Sequence, residues 1–216
     1  MLFRSLIGAG GEPVDSLPSS GRWHTTSHPV PDERSVAAAV DAIALARAAH
    51  EGDLLVVLLS GGASSFVALP AAGLTLSDKQ HTSKRLLELG AEIHELNTVR
   101  KHLSSIKGGW LAAAHAGSVI TLALSDVVGD DVSSIGSGPT VPDSTTFREA
   151  LAVLDGHGGR NAFPPNVVDR LERGAAGEIE ENPKPGERRL AKATARVIVG
   201  GGGAGGGGGE GGYVSG

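Results

Sequence analysis

The sequence predicts an α/β fold of three layers, a parallel sheet with helices on both faces. Three observations lead there. The core material is aliphatic, with 40% hydrophobic but only 3% aromatic residues, as in buried parallel strands. Short aliphatic runs bounded by glycine alternate with longer stretches of helical period. The resulting order of strand, helices, strand, helices, strand is that of right-handed βαβ crossovers.

Each element has a local reason. Residues 33–50 place Val36, Val40, Ile43 and Ala44 at helical spacing behind Pro31 and an Asp32 cap. Leu54 to Leu59 is six aliphatic side chains in a row, too short for a surface helix and suited to a buried strand. Ser77-x-x-Gln80 reads as a capping box opening a helix that ends near Gly90. A second helix is expected from Glu92 to Lys107, stopped by Gly108-Gly109, with a further turn or two over 110–116. Ser118 to Leu124 is the second strand, Ser144 to Leu154 a helix, and Pro164-Pro165 opens another through Leu171. Arg196 to Val199 is the third strand.

Residues 1–23 read as an irregular start, 24–199 as the domain, and the glycine-dominated 200–216 as a disordered tail. The tail matches a dinucleotide fingerprint only because any polyglycine does, so it carries no nucleotide reading.

Composition narrows the function. The chain has no cysteine, which excludes disulfides, thiolate metal sites and thiol nucleophiles and suits a reducing cytoplasm. A net charge of −5 leaves no electrostatic footprint for nucleic acid, and no apolar run reaches the length of a membrane span. A small or anionic substrate remains, with room for a homodimer.

Ligands of parallel sheets sit in the loops beyond the carboxyl ends of the strands, and two such loops are unusual. The first, Ser60-Gly61-Gly62-Ala63-Ser64-Ser65, bares backbone N–H groups that can cradle a phosphate or carboxylate. A tight turn needing positive φ explains the same glycines equally well. The second, Ser125 to Asp143, carries Asp126, Asp130, Asp131 and Asp143 among glycines, oxygen donors suited to Mg²⁺. Asp131 and Asp143 read better as solvated or capping residues, which leaves Asp126 as the metal or acid/base candidate. In "NTVRKHLSSIKGG" a helical projection puts Arg100 and Lys107 beside the apolar stripe of Val99, Leu103 and Ile106, with Asn97 and Ser104 on the polar edge. The same projection points Lys101 away. Cations so placed either snorkel or line an anion cleft. His24 and His28 share helical ligand spacing, but the proline after His28 argues against a helix, and no zinc is assigned.

Four segments together, "HPVPDE", "LLSGGASS" with "LPAAGLTLSDKQ", "ELNTVRKHLSSIKGGWLA" and "LSDVVGDDVSSIGSGPTVPDSTTF", followed by "ENPKPGE", resemble the class II glycerate kinases, the glycerate 2-kinase or DUF4147 family. The resemblance covers roughly residues 24–199. It implies a Rossmann-like domain and transfer of the γ-phosphoryl group of ATP, with Mg²⁺, to the 2-hydroxyl of D-glycerate.

It also implies site roles. Ser60, Gly61, Gly62 and Ser64 face phosphate; Asn97, Arg100, Lys101 and Lys107 form the basic helix; Ser125, Asp126, Asp130, Ser137, Gly138 and Thr140 form the acidic loop. Arg100, Lys107 and Asp126 are the catalytic candidates, and Asp126 and Asp130 the metal ligands. The family's Gly-Ala-Gly-Lys segment and its carboxy-terminal MOFRL domain have no counterpart here, so the chain reads as a partial form, inactive by itself. Two other readings stand beside the kinase: a non-catalytic module binding a phosphorylated small molecule, and a hydroxypyruvate reductase. The reductase ranks last because no G-x-G-x-x-G opens a helix after a strand.

Overall fold

A computed structural model describes residues 5–12, 14–125 and 131–199. These residues form five strands and seven α-helices. Strands β1 (Leu6–Gly10) and β2 (Gly21–Thr25) form a parallel pair, Gly8 opposite Trp23. After α1 (Glu33–Arg47) come β3 (Leu54–Leu59), the short α2 (Ala63–Phe66), α3 (Leu76–Glu88), α4 (Ile93–His102) and α5 (Trp110–Ala113). Then follow β4 (Ser118–Ser125), α6 (Phe147–Gly156), α7 (Pro165–Ala175) and β5 (Ala193–Val199). The main sheet is parallel in the order β3-β4-β5, with Leu58 opposite Leu122 and Leu122 opposite Arg196.

The expected parallel α/β plan is present, with four local differences. The start, expected to be irregular, contains β1 and β2. Its strand is hidden in the sequence because glycine has low β propensity, yet the glycines are required: a Cβ on Gly8 would lie 2.3 Å from the Trp23 ring. Helix α3 is capped two residues earlier than expected, at Thr75. Thr75 accepts from the Asp78 N–H and Asp78 accepts from the Thr75 N–H, while the Gln80 amide donates to Pro31 O. Helix α4 stops at His102, short of Lys107, because Ser104 and Ser105 turn their hydroxyls to the carbonyls of Leu69 and Pro70. Helix α6 begins at Phe147 on a Thr146 cap, three residues later than expected.

The largest core lies among α3, α4, α6 and α7, around Leu86, Val99, Phe147, Leu154, Val167 and Leu171. A second cluster packs Ala39, Ile43 and Ala46 of α1 with Ile106 and Leu111 onto Leu55 and Val57 of β3. That covers one face of the sheet. The described residues do not form the second helical layer expected on the other face, where Val56, Ile120, Leu124 and Ile198 are exposed and Leu58 is 74% exposed. The tail 200–216 lies outside the described residues.

Candidate active site

Because β3 and β4 are parallel and in register to Leu59 opposite Ala123, the loops that follow them open on the same sheet edge. They also touch. Ser64 Oγ lies 3.2 Å from Ser137 Oγ, whose hydroxyl donates to Asn97 Oδ1 at 3.0 Å. Lys107 ties the loops together: Nζ donates to Ser64 O at 3.0 Å and Gly136 O at 3.1 Å, and lies 3.1 Å from Ser64 Oγ.

The backbone conformation explains the residue types. Gly62 has φ +81°, and a Cβ there would meet Phe66 at 2.7 Å and His28 at 3.0 Å. His28 stacks on Phe66 with ring centroids 5.5 Å apart, and Ser65 Oγ donates to Pro29 O, so residues 28–29 buttress the first loop. His24 lies apart from these loops, paired with Asp41 at 2.8 Å. In the second loop Gly136, Ser137 and Gly138 are all left-handed, with φ of 62°, 61° and 58°. A serine held there between two glycines costs on the order of 1 kcal/mol or more and is the kind of strain found at functional sites. Gly108 N–H donates to Ser137 O and Gly109 N–H to Gly138 O, which explains why "KGG" and "SG" belong to one structure.

Four cations gather behind the loops. Lys107 is buried, and desolvation with the repulsion of Arg100 pushes its pKa down to about 7. Lys79, on the apolar stripe Leu76-Lys79-Thr82-Leu86 of α3, donates to Leu103 O at 3.0 Å. Burial first, then Lys107, Arg100 and Arg170, hold it well below the ordinary lysine value. Arg100 reaches Ser83 Oγ at 3.3 Å, and Arg170 reaches His102 O at 2.8 Å. Burial lowers both guanidinium pKa values. Among the described residues all four bond only neutral oxygens. Basic side chains wholly or partly withdrawn from water without carboxylate partners are poised for an anion.

Other expected residues stand elsewhere in the packing. Lys101, expected to point outward, is 7% exposed and pairs with Asp143 at 3.2 Å. The projection fails because residues 139–147 pack on the side of α4 that it assigns to solvent. Thr140 is buried and accepts from Thr121 at 2.7 Å, facing the protein interior. Ser125 is buried at the end of β4, and the Ser60 side chain is exposed. Asp126 and Asp130 lie outside the described residues. The nearest described carboxylate, Asp131, accepts from Ser133 N–H and Oγ, and no group of three metal-binding side chains occurs among the described residues. Sequence reasoning missed Lys79, whose position on an apolar helical stripe was the available signal.

No helix among the described residues is long and apolar enough to cross a membrane. Residues 12–172 match the family described as Domain of unknown function (DUF4147). The chain is 46% identical over 157 residues to a glycerate 2-kinase of Pyrococcus horikoshii, covering 73% of this chain and 36% of that one. It is 44% identical over 136 residues to a D-glycerate 2-kinase of Thermotoga maritima, covering 62% and 33%. It is also 50% identical over 151 residues to a putative hydroxypyruvate reductase of Agrobacterium vitis, covering 69% and 39%. A solved glycerate kinase of Thermotoga maritima superposes with a TM-score of 0.77 at 34% identity, over 90% of this chain and 44% of that one. A Pyrococcus horikoshii crystal structure gives 0.80 at 40% identity, over 85% and 42%. The chain thus spans less than half the length of these relatives. On the profile match and the shared fold, it belongs to the DUF4147 family, that of the class II glycerate kinases.

Proposed function

We propose that this chain supplies the anion-holding half of an ATP-dependent D-glycerate 2-kinase that works in the cytoplasm. One observation carries the reading: buried Lys79 and Lys107 with half-buried Arg100 and Arg170, bonded among the described residues only to neutral oxygens, stand behind two glycine-rich loops on one sheet edge. Phosphoryl transfer is mostly positioning and charge neutralisation. The loops suit both: the N–H groups around Gly61 and Gly62 receive phosphate oxygens, while Lys107 holds the two loops at fixed separation. Arg100, half-buried and tethered among the described residues only to Ser83, is the cation proposed to swing onto a ligand. Mg²⁺, when bound, would neutralise phosphate charge; Asp126 and Asp130 are the residues proposed to hold it, as hard oxygen donors.

The test is formation of 2-phosphoglycerate from ATP and D-glycerate, run on the 216-residue chain and on a full-length relative, with calorimetric titration of ATP and glycerate. Expected are turnover by the relative and anion binding without turnover by this chain. In-line transfer needs both walls of a cleft to hold the reactants and exclude water. Turnover by neither protein, with binding retained, would favour the non-catalytic phospho-ligand module. Oxidation of a reduced nicotinamide by hydroxypyruvate would favour the reductase.

A further inference from the structure

Three hydroxyl and amine groups in the loop junction have a hydrogen-bond stoichiometry that phosphate binding does not require. Lys107 Nζ has three polar neighbours: the carbonyls of Ser64 and Gly136, which can only accept, and Ser64 Oγ, which can also donate. A neutral amine has two N–H groups and one lone pair. The two carbonyls take the two N–H groups, and the lone pair is left facing the Ser64 hydroxyl. Ser137 has given its own proton to Asn97 Oδ1, so toward Ser64 it can only accept. The Ser64 hydroxyl proton therefore has two destinations, Ser137 Oγ when the lysine is charged and Lys107 Nζ when it is neutral.

We propose that Ser64 is a nucleophile with Lys107 as its general base, and that this pair cleaves short-chain carboxylic esters through an acyl-Ser64 intermediate. Ser64 Oγ attacks the ester carbonyl carbon while its proton passes to Lys107 Nζ. The carbon–oxygen bond to the alcohol then breaks, and the alcohol leaves with that proton. Water, deprotonated by the same amine, attacks the acyl-serine and releases the carboxylic acid, which restores Ser64. Ser64 is half-buried and so within reach of a small ester, whereas Lys107 behind it is buried. The backbone N–H groups of Gly61, Gly62 and Ser64 make no hydrogen bond among the described residues, and such donors stabilise an oxyanion. The titratable groups facing Lys107 are Arg100 of α4, whose charge favours the neutral amine, and Lys79 of α3, itself held well below the ordinary lysine value. No carboxylate among the described residues bonds to Lys107.

The test uses a fluorophosphonate probe on the unmodified 216-residue chain, with the labelled residue mapped by peptide mass and p-nitrophenyl acetate as the turnover substrate. In the labelling step Ser64 Oγ bonds to phosphorus, fluoride leaves, and the proton remains on Lys107. Expected is labelling at Ser64 on the order of 10²-fold faster in the native than in the urea-unfolded chain, rising with pH through about 7. It should be lost in Ser64→Ala, and also in Lys107→Arg, which keeps the charge but cannot act as a base. Native labelling no faster than unfolded, labelling mapped to another residue, or equal labelling of Ser64 in Lys107→Arg would each overturn the proposal. Mapping on the unmodified chain keeps the test decisive even if a variant misfolds. ATP and glycerate play no part, so the kinase reading stands or falls separately.

Discussion

Lys101 and Asp143 form a buried ion pair at 3.2 Å, with Asp143 also accepting from the Asn182 amide and from the N–H and hydroxyl of Thr145. This joint fastens α4 to the segment before α6 and to residues 181–184. Removing one partner leaves the other charge buried, so Asp143→Ala should destabilise the fold by about 3–5 kcal/mol. Arg100→Ala gives up, among the described residues, only one long bond to a neutral hydroxyl and should change stability by no more than about 1 kcal/mol. Its effect should fall on anion affinity instead. Urea unfolding and phosphate titration of the two variants should show the opposite ranking.

Stability should climb with pH in two separate windows. Burial pushes the Asp143 carboxyl up, but Asn182, Lys101 and Thr145 outweigh it and hold it below the usual range. Glu181 is likewise pushed up by burial, yet His102, the Phe147 N–H and Lys184 hold it to about 2. Depressed carboxylates bind fewer protons folded than unfolded, so their contribution is present above about pH 4.5 and lost as pH falls toward 2. The sign for Lys107 gives the second window. With its pKa near 7 in the fold and 10.5 in the open chain, the unfolded state holds the extra proton between those values. Stability then rises by up to about 1.4 kcal/mol per pH unit for this group. Urea midpoints from pH 3 to 10 should show both rises, and Lys107→Met should flatten the upper one.

Two glycines in neighbouring helices should respond oppositely to alanine. At Gly156 in α6 an added Cβ meets nothing within 4 Å, and Gly156→Ala should stabilise by about 0.4–1 kcal/mol through the unfolded state. At Gly174 in α7 the same atom would lie 2.2 Å from the Phe147 ring. Helix propensity favours alanine there by at most about 1 kcal/mol, whereas overpacking costs about 1–3 kcal/mol or more. The clash wins, and Gly174→Ala should lower the melting temperature while Gly156→Ala raises it.

The parts legible in the sequence were those whose chemistry is local. Six aliphatic residues before a bare Ser-Gly-Gly read as a buried strand, and Leu54–Leu59 is a strand, although only its odd-numbered side chains turn inward while Leu54, Val56 and Leu58 are exposed. Lys107 was legible as a cation beside the apolar stripe, though it reaches Ser64 from a turn past the end of α4. What stayed hidden depends on distant chain. Strand β1 is carried by glycines that make room for Trp23, a contact with no signature in "LIGAG". Lys101 projects to the outer side of an isolated helix, and only the packing of residues 139–147 turns that side into the interior. Lys79 was masked by its type, since lysine on a helix is ordinarily read as solvated.

The uncovered sheet face has a calorimetric consequence. Leu58, Val56, Ile120, Leu124 and Ile198 already meet water in the folded chain, so unfolding hydrates them only a little further. The heat-capacity increment of unfolding grows with newly wetted apolar area. It should therefore fall below the roughly 12–15 cal/mol/K per residue usual for globular chains. A smaller increment bends the free-energy curve less, so this protein should lose stability slowly on cooling and show a broad, shallow maximum against temperature. Scanning calorimetry across several pH values measures that curvature directly.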